Sequence, residues 1–290
     1  MGLRAKFNLA MVAAFLVGFA LAGGVLRYFL IRDARDAVVQ QARIMMTAAN
    51  AVRDYTTREI EPLIGFQNKG KFLRAFVPSF AAQTTFKDVQ KKFPDFIYRE
   101  AALNPTNPDD RATSWQADLI IAFRNDAKLR EIVSERNTPT GRALLLARPI
   151  RIDDPQCLLC HSTPAAAPAS QIARYGSNNG FGWKLHQIIG AQVVSVPLAL
   201  AMARAQSRLI TFMGLLAGVF LVIMAILNVL LHYIVIRPAV RMARIAEAVS
   251  LGQGDVEEYE KKGADEIASL SVSFNRMRRS LDSALQLLQR

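Results

Sequence analysis

The sequence predicts an α+β domain held between two membrane-spanning helices and followed by a C-terminal helical bundle. Three observations carry that expectation. Two long runs lack charged side chains, the stretch between them mixes β-rich and helix-like segments, and apolar residues near the end recur at alternating spacings of three and four. The 290 residues are the length of about two domains.

Composition narrows the class. There are 36 Lys+Arg against 24 Asp+Glu, for a net charge of +12, with 21% charged and 51% hydrophobic residues. That balance excludes a disordered polyelectrolyte. Residues 27–208 hold most of the excess, 25 basic against 16 acidic side chains. They contain no block of five like charges and no zinc-finger or RNA-binding signature, so no nucleic-acid partner is expected.

The first element covers residues 1–31. Phe7 to Leu26 is free of charge and follows Arg4 and Lys6. About 20 apolar residues cross a bilayer core of roughly 30 Å, and only a helix satisfies its own backbone there. Ala20-Leu21-Ala22 also resembles a signal-peptide cleavage site, but the apolar pattern continues through Val25, Leu26 and Phe29. An uncleaved signal anchor is the expectation. The second span, residues 208–236, has no charge from Leu209 to Ile236. Arginines flank both of its ends, so charge alone leaves the orientation open.

Residues 32–207 read as one domain. A long helix is expected over 33–61, ended by Pro62. Further helices are expected over Phe80–Phe93 and Trp115–Glu135, and strands over Phe96–Leu103, Gly141–Ile152 and Ile188–Leu198. A long entry helix with a few antiparallel strands and flanking helices indicates a PAS-like or Cache-like α+β sensor domain.

Within it lies Cys157-Leu158-Leu159-Cys160-His161, the C-x-x-C-H attachment motif of c-type haem. Two thiols three residues apart can add across the two vinyl groups of one porphyrin, and the next histidine then falls under the iron. The expected cofactor is one covalently attached haem c per chain, with His161 as proximal iron ligand. Such attachment occurs outside the bacterial cytoplasmic membrane, which places 32–207 in the periplasm and both termini in the cytoplasm. A thioredoxin-like pair and half a zinc site are the competing readings. Pro155 and Thr163-Pro164 bracket the motif, and the other histidines are His186 and His232.

The distal iron position has several candidates. Val38, Ala42, Met45, Ala49 and Val52 form an apolar stripe on the long helix, which makes Met45 core filler or ligand alike. Met46 shares a face with Ala49 and with Arg53, a cation suited to a propionate, and is the preferred ligand. His186 and an open sixth site remain alternatives.

Several stretches resemble the family of bacterial periplasmic c-type haem-binding PAS-like sensor domains. They are Ala51-Val52-Arg53-Asp54-Tyr55-Thr56, the run from Tyr98 to Pro108, Ala147-Arg148-Pro149-Ile150, the cysteine motif, and Asn179-Gly180-Phe181-Gly182-Trp183. The resemblance implies a haem in a sensor pocket, with Arg53, Tyr55 and Arg99 as pocket residues. Each of these could equally be a surface or salt-bridging residue.

Residues 237–290 close the chain. Pro238, Met242, Ile245 and Val249 repeat at 4, 3, 4. Gly252-Gln253-Gly254-Asp255 makes a connector with Val256 and Tyr259 beside it. Ile267, Leu270, Phe274, Met277, Leu281, Ala284 and Leu288 then alternate 3 and 4. Such a seam needs a partner helix. Two short helices, a glycine-containing connector and Asp265-Glu266-Ile267 resemble a HAMP module, although Ala268 stands where that family often has glycine. The resemblance implies a parallel four-helix bundle made by a homodimer.

The expected function is a membrane-bound c-type haem sensor. It would detect redox state or a small gaseous ligand and signal through HAMP to a separate cytoplasmic kinase or chemoreceptor-type protein, since no nucleotide loop or kinase signature is seen. The alternative is a membrane-anchored mono-haem electron carrier. No enzyme is expected, because no distal acid/base pair can be assigned.

Overall fold

The computed structural model describes residues 2–65, 72–139, 141–251, 258–261 and 263–288. They form two compact units, Leu26–Leu209 and the outer stretches Met1–Val25 with Ile210–Arg290. In chain order the elements are α1 (Leu3–Tyr55), α2 (Glu61–Gly65), α3 (Pro78–Lys92), β1 (Ile97–Ala102), α4 (Ser114–Asn125), β2 (Ile132–Thr138), β3 (Gly141–Arg151), α5 (Cys157–His161), α6 (Ala169–Tyr175), β4 (Ile188–Pro197), α7 (Ala199–Leu230), α8 (Arg237–Ser250) and α9 (Glu266–Leu288).

The long first helix does not end at Pro62. A π-helical turn over Thr56–Ile60 joins α1 to α2, with the Glu61 N–H bonded to the Thr56 carbonyl. A proline ring collides with the carbonyl four residues before it, and a widened turn relieves that collision without breaking the helix. The same device precedes Pro238, where Leu231–Ile236 is π-helical and the Arg237 N–H reaches the His232 carbonyl.

The inner unit is built on one antiparallel sheet in the order β1-β4-β3-β2. β4 is central and buried from Ile189 to Val196 because both faces are covered. Alternation of side chains sorts its residues. Val194 and Val196 join Leu144, Leu146, Val38, Ala42, Met46 and Ala49 in the core under α1 and α3. Ala191 and Val193 join Ala147, Ile120 and Phe123 under α4.

The second strand corrects an expectation. The helix expected through Glu135 ends at Asn125, and Ile132–Thr138 pairs with β3 from Ile132↔Ala147 to Thr138↔Gly141. Leu129 to Arg136 is rich in residues that a helix tolerates, but helix propensity is a weak preference that strand pairing overrides. The Thr138 hydroxyl closes the hairpin by donating to the Gly141 carbonyl at 2.7 Å.

Leu3–Leu63 and Ala199–Ser250 each contain a stretch long and apolar enough to cross a membrane. Phe15 stacks on Phe220 with centroids 3.7 Å apart, and the Arg4 side chain meets His232. In the tail, Asp265 caps α9: its Oδ1 accepts from the Ala268 N–H at 2.8 Å, while Lys261 Nζ donates to Oδ2 at 2.6 Å. Among the described side chains of α9, Ala268, Ser271 and Asn275 are buried, whereas Leu270, Met277 and Leu281 of the expected seam are exposed. Asn275 donates to the Tyr259 carbonyl, which explains why a polar residue faces inward. Gly252 to Val256 and the side chains of Ala284 and Leu288 lie outside the described residues.

Two acids on or beside β2 tie it to α1. Glu131 Oε1 accepts from Arg43 and Oε2 from Arg148, at 2.9 and 2.8 Å, and Glu135 accepts from Arg35 at 3.0 Å. Exposed ion pairs contribute about 0–1 kcal/mol each, against about 1.5–3 kcal/mol for burying one side chain such as Met46. Packing holds α1 down, and the pairs add a pH dependence. Burial opposes it, yet the Arg148 and Arg43 hydrogen bonds hold the Glu131 carboxyl below its ordinary 4.5. The Arg35 hydrogen bond does the same for Glu135. Both contributions are complete above the ordinary value and vanish as pH falls through the lowered ones. Thermal unfolding of the purified chain should therefore shift down by about 2–4 °C from this source on acidification below pH 4.5. The Glu131→Gln, Glu135→Gln double variant should show that loss already at pH 7 and a flatter acid limb.

Candidate functional site

The cysteine motif sits on a short turn beyond β3. Asp154 Oδ1 accepts from the Gln156 N–H at 2.8 Å, and the Cys157 and Leu158 N–H groups bond the Asp154 and Pro155 carbonyls. This starts α5, the single helical turn Cys157–His161. Residues three apart share a helix face, so one turn carries both thiols on one side. Both cysteines are free and half-buried.

His161 is locked. Its Nδ1 lies 2.8 Å from the Gly180 carbonyl oxygen. A carbonyl can only accept, so Nδ1 carries the proton and Nε2 is left as a bare lone pair. The ring stacks on Trp183 with centroids 3.8 Å apart and a 13° tilt, and Thr106 Oγ1 is 3.3 Å from Nδ1. The Gly182 and Trp183 N–H groups return to the Ser162 and His161 carbonyls, fastening the 180–183 loop to α5. Gly180 itself has φ +81°, and a Cβ there would lie 2.0 Å from Thr106 Oγ1. Only glycine lets the carbonyl reach the ring. Burial pushes the imidazole pKa below its usual value, with the Gly180 bond opposing, so the ring is neutral as ligation requires.

Charged groups crowd the thiols. Burial, then Asp154 and Glu61, push the Cys157 thiol up, with Arg53 opposing. Burial and Glu61 do the same to Cys160. Burial and Asp154 in turn raise Glu61. Gln171, completely buried, donates from Nε2 to the Cys160 carbonyl at 3.2 Å, while its Oε1 has no partner among the described residues.

Behind Arg53 lies a polar row in register across the sheet, Glu100↔Gln192↔Arg148. Arg53 Nη1 pairs with Glu100 Oε2, and Tyr98 OH donates to Oε1 at 2.6 Å. Gln192 Nε2 donates to Asn50 Oδ1 at 2.7 Å and to Tyr98 at 3.1 Å. Burial, the largest single influence, lowers the Arg53 pKa, but Glu100, Tyr98 and Cys157 together raise it above its ordinary value. Burial, then Glu100, raise Tyr98 strongly.

The Tll0287-like family profile matches residues 31–197, more than half of the sequence. The chain belongs to the Tll0287-like family. The HAMP domain profile matches residues 230–283. The crystal structure of the cyanobacterial heme-protein Tll0287 is similar at 16% identity and a TM-score of 0.44, over 55% of this chain and 94% of that one. No curated protein matches.

The Tll0287-like domain distributes the expected residues unevenly. Cys157, Cys160, His161 and Arg53 come together. Tyr55 is 59% exposed. Arg99 donates to the Asp109 and Arg111 carbonyls at 2.8 and 3.0 Å, pinning a loop. Met46 is completely buried in the core with Tyr98, Leu144 and Val194, and Met45 packs at its margin, so the inward face of α1 is the one shared by Met46, Ala49 and Arg53. His186 is on the surface at φ +62°, with Nδ1 3.3 Å from Asp153. Among the described residues no cluster of three or more His, Cys, Asp or Glu is placed to hold a metal ion. Glu61, Asp154 and Gln171 had no signal in the sequence, since nothing in their local pattern sets them apart, and Glu100 lay within a resembling segment without a role. Gly180 and Trp183 were visible as part of the resembling segments, without a role.

Arg53 and Glu100 compensate each other. Glu100→Gln leaves a half-buried guanidinium beside a neutral amide and should lower the unfolding free energy by about 1–3 kcal/mol in denaturant titration. Tyr55→Phe, at an exposed site, should change it by less than about 0.5 kcal/mol.

Proposed function

We propose that the chain is a membrane-bound sensor that carries one covalent haem c on Cys157 and Cys160, with His161 as the proximal iron ligand. The carrying observation is the neutral His161 ring, fixed through Nδ1 by Gly180 and offering Nε2 beside two free thiols on one helical turn. A metal-bound histidine characteristically donates its other N–H to a carbonyl or carboxylate, which fixes the tautomer and raises its basicity. The residues present therefore fit haem, and the Tll0287 relative is itself described as a heme-protein. When bound, haem would supply a one-electron couple and an iron coordination position.

The chain's own residues supply the rest. Trp183 and Gly180 hold the His161 plane, and Thr106 backs it. Arg53 stands within electrostatic reach of Cys157, and its carboxylate partner is on β1. β4 carries Gln192 of the same network, and Leu198 alone separates it from α7. Both elements that enter the apolar spans, α1 and α7, are thus tied to one polar row. A HAMP domain follows the second span.

In this reading the Tll0287-like domain is a PAS-like module in the periplasm. Both termini are cytoplasmic, and redox state or a small gas at the iron is the signal. The exposed Leu270, Met277 and Leu281 pack against a second copy in a homodimer. A kinase or chemoreceptor-type protein receives the output.

Expression with a c-type haem-ligation system tests the cofactor. The denatured wild-type chain should retain the pigment, and the Cys157→Ser, Cys160→Ser double variant should lose it. A colourless wild-type chain would remove the proposal's basis. Signalling is tested by cysteines introduced across the two spans near Gly23 and Met213, where the would-be Cβ of Gly23 lies 3.1 Å from Met213 Cε. Crosslinking in membranes should proceed at different rates in oxidised and reduced samples. Equal rates, with electron transfer preserved after removal of the segment beyond Ile236, would instead mark an electron carrier.

A further inference from the structure

An open cleft of about 480 Å³ lies where α1 crosses the polar end of the sheet. Its walls carry four arginines, Arg53, Arg130, Arg148 and Arg151, against two acids, Glu131 and Asp153. The acids are already committed. Glu131 gives one oxygen to Arg148 and the other to Arg43, and Asp153 takes Arg151 Nε at 2.8 Å with His186 alongside. Arg53 is engaged by Glu100, which lies outside the cleft wall. Arg130 has no ion pair among the described residues. A guanidinium has five N–H donors, and the bonds just named use two on Arg148 and one on Arg151. The cleft therefore holds an excess of two positive charges and unspent planar donors, with the amides of Asn50 and Gln192 also lining it.

Pro149 and Ile150 line the same space. A bare inorganic anion would leave that apolar wall against water, and the volume falls in the ~300–1,000 Å³ range of small-molecule pockets. Guanidinium forks match carboxylates bidentately. We propose that this cleft binds a pair of carboxylates carried on an apolar body. Two sources present that chemistry. One is the propionate edge of the haem, which rests on the reading above and on the place of Arg53 in the cleft wall. The other is a free short dicarboxylic acid, which needs no haem.

The test is calorimetric titration of succinate into the purified full chain, prepared with and without the haem-ligation system, with inorganic phosphate as control. Succinate binding by the pigment-free form alone puts the propionates in the cleft. Binding by the haem-loaded form puts a free diacid there. Either supports the proposal, and Arg130→Gln with Arg148→Gln should then weaken succinate by about tenfold or more. Arg130→Gln alone, at a position without an ion pair, keeps the test valid should the double variant fold poorly, and should weaken succinate by about threefold or more. No succinate binding by either form, unchanged affinity in the variants, or phosphate binding as tightly as succinate overturns it. Failure of the haem reading shows separately, as a denatured chain without pigment, and the pigment-free arm still decides the cleft.

Discussion

A half-buried guanidinium and a fully buried carboxylate meet between α1 and the sheet, and the placement of the inner unit follows from that meeting. Arg53 lies on the helix face that also carries Met46 and Ala49, and Glu100 is one of the alternate β1 residues turned to that face. A charge stranded in such a place costs several kcal/mol, so α1 cannot rotate or slide on the sheet without a large penalty. Apolar packing would tolerate small shifts of a Val, Ala and Met stripe. The ion pair, with Tyr98 and Gln192 completing its hydrogen bonds, admits one register. That register places Arg53 within electrostatic reach of Cys157 and in the wall of the arginine-lined cleft.

The motif itself depends on a different kind of precision. Five residues on a short turn cannot orient an imidazole by themselves. The orientation comes from a loop some twenty residues later, whose Gly180 carbonyl reaches Nδ1 only because no Cβ intervenes, and whose Trp183 lies flat on the ring. The rigid sheet supplies the ground for both loops. In the proposed sensor the same sheet also supplies the outlet, since its central strand runs through one residue into α7.

Much of the architecture was legible because it depends on local pattern. The charge-free spans, the strands at 97–102, 141–151 and 188–197, the α9 heptad spacing and the C-x-x-C-H run all show in windows of a few residues. β2 was not legible. Its hydrophobicity is diffuse and its outer half is exposed, so only pairing with β3 decides its state. Pro62 misled for a related reason: the rule that proline ends a helix presumes regular hydrogen bonding, and a π-turn changes the bonding.

What the amino-acid order determined alone is therefore the set of chemistries and their order along the chain. Two thiols and a histidine share one turn, apolar spans stand on either side, and a two-helix module follows, since each of these is a property of neighbours in sequence. Which acids stand near the thiols, which arginine meets the buried Glu100, which carbonyl holds the histidine and which methionine fills the core were decided by tertiary structure. Glu100, Gln192 and Arg148 lie far apart in the chain and meet only through strand register, and register is set by the whole sheet closing on α1.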